Sequence, residues 1–365
     1  MHKLAFFIRK VYFLLKAFKI LGLKPVEWGR YAILYARRVV SAQEYMNYKH
    51  YLKDASFKKT FLSYCEAEKY WKLLNPNKYC AIARDKYLTH LVLEEVGIPM
   101  PKLYAYFNSE AGDDYQSVRT QLKKFDVHQC VVKPAADSAH GGGVFVCNNI
   151  VYTNSDCVIE KTNGEKVSLK QLLEINKNTP LLFEERVIQT QQVNSINPSS
   201  VNTVRFMTAL YPNKEVKIVA TFMKFGRMGS DIDNAGDGGN VDCGIDFKKG
   251  VCYNTVQFNS FNDVKRITKH PDSDVQIEGI TIKNWVDFVV KVKSFQSKVP
   301  YLKMIGWDIA LTDEGPMVIE INNWWDTTGQ LFIGRGWRNE VLDCYNAWKD
   351  YYSNNKVDDK NCSRR

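Results

Sequence analysis

Hydrophobic and polar positions along the chain alternate in ways that predict a mixed fold. Gly306-Trp307-Asp308-Ile309-Ala310-Leu311 and Val318-Ile319-Glu320-Ile321-Asn322 are apolar strands around a Thr312-Asp313-Glu314-Gly315 turn, which reads as a hairpin. Cys130 to Pro134 and Val144 to Cys147 read as two further strands joined through glycines, and Val204 to Leu210 as an apolar strand interrupted by Arg205. Leu88, Leu91, Val92 and Val96 fall on one face of a helix predicted across Ala83 to Pro101 and stopped by Gly97 and Pro99. Tyr45 to Leu74 reads as helical, and the stretches at 108–124 and 154–170 as loops or small helices. Leu4, Phe7, Ile8, Val11, Leu14, Leu15 and Phe18 share a helical face near the start of the chain.

The chemistry lies where polar residues break these patterns. Asp308, Glu320 and Asn322 stand inside the hairpin; Glu320 and Asn322 share a strand face, and Asp308 can join them from the neighbouring strand. Three oxygen ligands on rigid elements suit Mg2+. The alternative is a solvated edge hairpin, disfavoured because the flanking Ile, Val and Trp predict burial and a buried carboxylate needs a partner. Lys133 ends one strand and is followed by Ser138 and the glycines Gly141, Gly142 and Gly143, a loop whose N–H groups can approach phosphate. By itself such a run is more often a plain hairpin connection. Neither the P-loop spacing nor G-x-G-x-x-G after a strand is present.

Lys86, Lys133, the glycine loop, Leu181-Leu182-Phe183-Glu184-Glu185-Arg186-Val187 and the Asp308/Glu320/Asn322 triad follow one another in the order seen in the ATP-grasp superfamily, which the chain resembles over roughly residues 80–345. Ser199 to Phe206 and Asp233 to Val241 resemble the sugar-transfer-associated branch. The resemblance implies an α+β (α/β) fold of two lobes clasping ATP, here with an N-terminal helical extension. It also implies that Lys86 and Lys133 contact phosphates under the glycine loop, that Glu184, Glu185 and Val187 form the adenine hinge, and that Asn202 belongs to the nucleotide site. Asp308, Glu320 and Asn322 would hold Mg2+. Arg205 would steady the transferring phosphoryl group; a structural ion pair with a strand neighbour is its other reading. Lys224, Arg227 and Asn234, on a Gly- and Asp/Asn-rich stretch, would meet the second substrate, with a plain hairpin turn as the alternative for Arg227. Asp326, Thr327 and Thr328 are further candidates to line the acceptor pocket, while Trp324 and Trp325 either stack on a sugar or pack.

Such enzymes activate a carboxylate as an acyl-phosphate and join it to an amine, releasing ADP and phosphate. The branch points to an amino acid and a uronic-acid-containing glycan or nucleotide sugar in capsule or other surface polysaccharide synthesis. A kinase acting on a hydroxyl acceptor and a non-catalytic nucleotide-binding scaffold are the alternatives.

Composition narrows the setting. The 365 residues divide into a basic arm (1–40), a helical cap (41–79), a nucleotide lobe (80–187), a catalytic lobe (188–350) and a polar tail (351–365). Nine scattered cysteines with no C-x-x-C pair read as free thiols of a cytoplasmic protein. Of the formal charge of +10, the first 40 residues hold nine Lys and Arg against Glu27 alone, the pattern of a helix lying on an anionic membrane surface or docked on the protein with its cations in solvent. The charges interrupt any spanning segment, and no nucleic-acid motif accompanies them.

Overall fold

The computed structural model describes residues 24–355 apart from short stretches at 37–39, 42–43, 46–47, 49–50, 137–141, 236–237 and 261–262. The apolar face expected over residues 4–18 lies outside the described residues.

Two antiparallel sheets carry the fold. The first is built from β1 (Leu103–Phe107), β2 (Cys130–Pro134), β3 (Phe145–Tyr152), β4 (Cys157–Lys161), β5 (Lys166–Ser168) and β6 (Leu181–Glu184), in the order β1-β6-β2-β3-β4-β5. The helices Tyr115–Lys124 and Leu169–Ile175 cover it, burying Val118, Leu122, Leu169, Leu172 and Leu173 against Val132, Ile150, Ile159 and Phe183. The segments at 108–124 and 154–170, expected as loops or small helices, thus supply a full helix and two strands. The second sheet contains β7 (Thr203–Leu210), β8 (Val216–Phe225), β9 (Val241–Ile245), β10 (Cys252–Ser260), β11 (Asp263–Arg266), β12 (Met304–Thr312) and β13 (Gly315–Asn322), in the order β11-β10-β9-β8-β7-β12-β13.

Period-two alternation gives the second sheet two unlike faces. Val204, Phe206, Met223, Phe225, Val241, Trp307, Ile309 and Ile321 face a core completed by Trp285, Phe288, Val292 and Phe295 of the helix Trp285–Lys298. On the opposite face Met207, Ala209, Ala220 and Phe222 join a core with Phe57, Phe61, Trp71, Leu74, Trp325, Trp337 and Trp348. This second core ties the helices Ala55–Thr60 and Tyr64–Leu74 to the C-terminal helix Arg338–Asn354. Gly336 marks how tightly: a Cβ there would occupy the space of the Thr60 backbone. The apolar cover ends at Met207, and one step further along the same face stands Arg205.

The helix predicted from Ala83 is two helices. Asp85 interrupts it, its carboxylate accepting hydrogen bonds from the N–H groups of Tyr87 and Leu88, so that Ala81–Arg84 ends and Lys86–Glu95 begins at that residue. The expected buried stripe is corrected in part: Val96 packs against the core and Val92 is half-buried, but the two leucines are not buried. Leu88 and Leu91 are 38% and 47% exposed, while Thr89, His90 and Leu93 face inward. The reason is local and polar: the Thr89 hydroxyl donates toward the carbonyls of Ile82 and Asp85, and His90 lies against Glu184.

Candidate active site

Strand register assembles a row of charges across the second sheet. Asp308 lies opposite Glu320 on β13 and opposite Arg205 on β7, Gly306 lies opposite Asn322, and Lys224 lies opposite Asp242 on β9. Directly opposed residues of antiparallel strands share a face. Arg205 donates through Nε to Asp308 Oδ1 at 2.6 Å and through Nη2 to Oδ2 at 2.8 Å, a bidentate pair. Lys224 Nζ lies 3.1 Å from the same Oδ1 and 3.9 Å from Asp233 Oδ1. Asn322 donates to Asp308 Oδ2 at 3.3 Å, and Asp233 accepts from the N–H and hydroxyl of Thr203, both at 2.7 Å.

Asp308 and Lys224 are buried and Arg205 and Asp233 half-buried, and their charges hold each other. Burial opposes ionisation of Asp308, yet Arg205 and Lys224 outweigh it and bring its carboxyl down to about 2. Burial likewise disfavours the cations, but Asp308 raises the Arg205 guanidinium, and Asp233 with Asp308 raises the Lys224 ammonium. Asp233 moves the other way, burial pushing its carboxyl up against the pull of Lys224.

The donor set fits a hard divalent cation. Two carboxylates and an amide sit on adjacent strands, and Asp308, Glu320, Asp233 and Asp242 outnumber Arg205 and Lys224 on this face. Among the described residues there is no cluster of three His, Cys, Asp or Glu side chains of metal-holding geometry, so Asn322 is needed as the third donor. Asp308 would have to share its oxygens with Arg205 and Lys224.

The backbone of Lys86 meets the first sheet just beyond Lys133. The N–H of Lys86 donates to Ala135 O at 2.7 Å, which sets the start of its helix against the end of β2, two residues beyond Lys133. Lys133 Nζ contacts Glu184 Oε2 at 2.5 Å, both side chains buried. Ser138 and Gly141 lie outside the described residues. Gly143 has φ +79°, and a Cβ there would approach Pro134 to 2.9 Å, so Gly143 itself packs against the end of the strand that bears Lys133. Glu185 donates its N–H to Lys102 O at 2.8 Å and accepts from Lys102 N at 3.2 Å, which extends the pairing of β1 with β6. Val187 follows in the linker toward the second sheet, which Thr190 joins by donating to Leu311 O at 2.8 Å.

Three expected site residues are committed to their surroundings. Asn202 is fully buried, donating to Gln189, Asn197 and Ser200 and accepting from Asn197 Nδ2 and the Gly226 N–H. Arg227 is clamped on Asp272, Nε to Oδ2 at 2.7 Å and Nη2 to Oδ1 at 2.5 Å, in the ion pair with a surface acid that its side chain finds first. The Asn234 carbonyl accepts from Asn240 Nδ2 at 2.9 Å, which shapes the loop carrying Asp233. Trp325 packs edge-on against Trp71 and Trp337, and Trp324 lies against Tyr64 and Trp71, so both tryptophans belong to the packing of the cap. Asp326 is exposed and accepts from the N–H and hydroxyl of Thr328, while Thr327 and Thr328 are buried.

The structure also adds residues that the sequence pattern did not single out. Asp231 reaches the first sheet, accepting from Val146 N at 3.2 Å and from the Thr162 hydroxyl at 2.7 Å, so the loop that holds Asp233 beside Lys224 also ties the two sheets together. Its spacing in Asp231-Ile232-Asp233 was the available signal, with one acid directed to each lobe. His90 and Asp272 had none, because each is defined only by a partner distant in sequence.

Two antiparallel sheets, with two lysines and a glycine loop at one and a row of acids and cations on the other, define an ATP-grasp fold. The chain belongs to the sugar-transfer associated ATP-grasp family, whose model matches residues 66–344. Among solved structures it is similar to N5-carboxyaminoimidazole ribonucleotide synthetase from Thermotoga maritima, with 14% identity over 82% of this chain and 62% of that one at a TM-score of 0.42. It is also similar to D-alanine–D-alanine ligase from Bacillus anthracis, with 14% identity over 75% and 69% at a TM-score of 0.40. An ADP complex of N5-carboxyaminoimidazole ribonucleotide synthetase shows 9% identity over 68% of this chain at a TM-score of 0.39, and the match spans 47% of that chain. The search of curated proteins finds no match. Among the described residues no helix is long and apolar enough to cross a membrane.

Proposed function

We propose that the protein is an ATP-dependent, ADP-forming ligase that joins a carboxylate to an amine. The observation that supports this most is the row of half-buried Glu320 and Arg205 with buried Asp308 and Lys224 on one sheet, tied through Asp231 to the sheet that carries Lys133. A carboxylate oxygen attacks the γ-phosphorus of ATP, the bond to ADP breaks, and an acyl-phosphate forms. The amine nitrogen then attacks the acyl carbon, inorganic phosphate leaves, and an amide remains. Lys86 and Lys133 hold the phosphates. Arg205 and Lys224, fixed in place by Asp308, stabilise charge that develops on the phosphoryl oxygens without reorganising. Glu320 and Asn322, with Asp308, would hold Mg2+, which supplies charge neutralisation at the phosphates when bound. Lys224, held beside Arg205 by Asp308, would receive the substrate carboxylate.

The substrates we propose are an amino acid and a uronic-acid-containing glycan or nucleotide sugar, joined in the synthesis of a capsule or other surface polysaccharide. The branch membership supports this. The basic first 40 residues would hold the protein against an anionic membrane on its cytoplasmic side, near such acceptors. The test is incubation with Mg-ATP, an amino-acid mixture and uronic-acid acceptors, with products read by mass spectrometry beside ADP and phosphate release. An acceptor heavier by one amino acid less water establishes the ligase. An acceptor heavier by one phosphate makes the protein a kinase.

A further inference from the structure

Where β2, β6 and the helix Lys86–Glu95 meet lies a buried trio that the reaction above does not use in full. Lys133, Glu184 and His90 are 6%, 2% and 3% exposed. Glu184 Oε2 is taken by Lys133 at 2.5 Å. Its other oxygen, Oε1, lies 3.5 Å from His90 Nε2, and neither of these two facing atoms has a hydrogen-bond partner, while the Pro101 backbone is the ring's other polar neighbour. Unsatisfied polar atoms this deep are costly, so two of them facing one another need an explanation. Among the described residues, the ion-pair partners of Glu184 are His90 and the lysine that the nucleotide would claim.

We propose that Glu184 exchanges Lys133 for His90 when nucleotide binds, and that His90 takes a proton from solvent as it does so. This rests on the nucleotide reading of Lys133. Phosphate draws the ammonium away from Oε2, which would leave a buried carboxylate with no counter-ion. A turn of the Glu184 carboxyl brings Oε1 onto His90 Nε2, and the imidazolium replaces the ammonium as its partner. The charged groups facing His90 are Glu184 from β6, Lys133 from β2 and Glu94 from its own helix, with the Pro101 carbonyl the remaining polar neighbour. In the present arrangement burial keeps the ring below its ordinary value, Glu184 raises it and Lys133 lowers it. Withdrawal of Lys133 removes the lowering charge and leaves both acids, so the imidazole of the bound state is the more basic. Binding is then linked to proton uptake, and affinity weakens as pH rises through neutrality, by up to about tenfold per pH unit for one linked proton. Lys133 is thereby stored in a neutral pair until ATP arrives.

The experiment is calorimetric titration of the full chain with Mg-AMP-PNP near pH 7 in phosphate and in Tris, whose ionisation enthalpies differ, so that the difference reports protons exchanged. The expected result is net uptake by the native protein, reduced by at least half in His90→Gln, whose affinity no longer follows pH because the amide donates to Glu184 in any protonation state. His90→Leu, which offers Glu184 no new partner, should weaken binding several-fold. Glu184→Gln should also remove the uptake, and serves if the His90 variants do not fold. Binding without buffer dependence, or uptake unchanged in His90→Gln, overturns the exchange alone. Failure to bind any adenine nucleotide overturns the nucleotide reading and the exchange with it.

Discussion

Replacing Asp308 by Asn is the sharpest test of the charged row. The amide keeps the shape of the carboxylate but leaves Arg205 and Lys224 as buried cations, Lys224 with Asp233 at 3.9 Å and Arg205 with only more distant acids. Breaking a buried pair from one side costs about 3–5 kcal/mol, against about 0–1 kcal/mol for a solvated one. Asp308 is 6% exposed and bonded to both nitrogens of the Arg205 fork, so the larger range applies. Arg205→Met should cost less, about 3 kcal/mol, because Asp308 keeps Lys224 and Asn322. The double change Arg205→Met with Asp308→Leu removes both charges and should fall within about 1–2 kcal/mol of the native protein, far from the sum of the singles. Urea unfolding followed by tryptophan fluorescence measures all three, and each variant should lose turnover regardless of its stability. Acid adds a second readout. The folded carboxyl stands at about 2 against an ordinary 3.8, worth about 2 kcal/mol. Because the folded value is the lower one, that stability is present above pH about 4 and is lost as pH falls toward 2, a limb that Asp308→Asn should lack. An Asp308→Asn protein within about 1 kcal/mol of native would refute the reasoning, since it would mean that water already solvates the pair.

Three further changes separate chemistry from architecture. Glu320→Ala should reduce ADP release by a factor of at least about 100 while leaving the urea midpoint near native, because this half-buried carboxylate is one we propose as a Mg2+ ligand and it is not part of the core. Asp231→Ala should raise the KM for ATP several-fold and move kcat less, as the tie from the Asp233 loop to Val146 and Thr162 is lost; a change in kcat alone would speak against a latch. Gly336→Ala drives a methyl into the Thr60 backbone and should lower the melting temperature severely or prevent folding, read by differential scanning fluorimetry.

What could be read before any coordinates depended on how local the determinant was. The hairpin of β12 and β13, the strand that ends at Lys133 and the burial of Asp308 follow from alternation and turn residues a few positions apart. The partner of Arg205 does not. It lies 103 residues away and is chosen by the register of β7 against β12, so an arginine in an apolar strand announces that an anion is near without saying whether it is a phosphate or a carboxylate. Arg205 satisfies both readings in turn: Asp308 holds it in place, and the phosphoryl group is what we propose it serves. The clamp of Arg227 on Asp272 and the interior network of Asn202 are of the same kind, since side chains of unremarkable composition are placed by a loop fold that no period encodes.

The misread face of the helix Lys86–Glu95 is the more instructive case. Periodicity assigns the apolar stripe to the protein interior because most interiors are apolar. This helix docks over Glu184 and Lys133, so its inward face carries Thr89 and His90, and Leu88 and Leu91 turn to solvent. The inversion is what a helix against a buried ionic site requires, because a leucine packed on Glu184 would leave the carboxylate without a donor whenever Lys133 departs. In this helix the leucines found facing water therefore stand opposite the side on which the charged groups sit, and that inward side leads to the trio in which Glu184 Oε1 and His90 Nε2 lack hydrogen-bond partners.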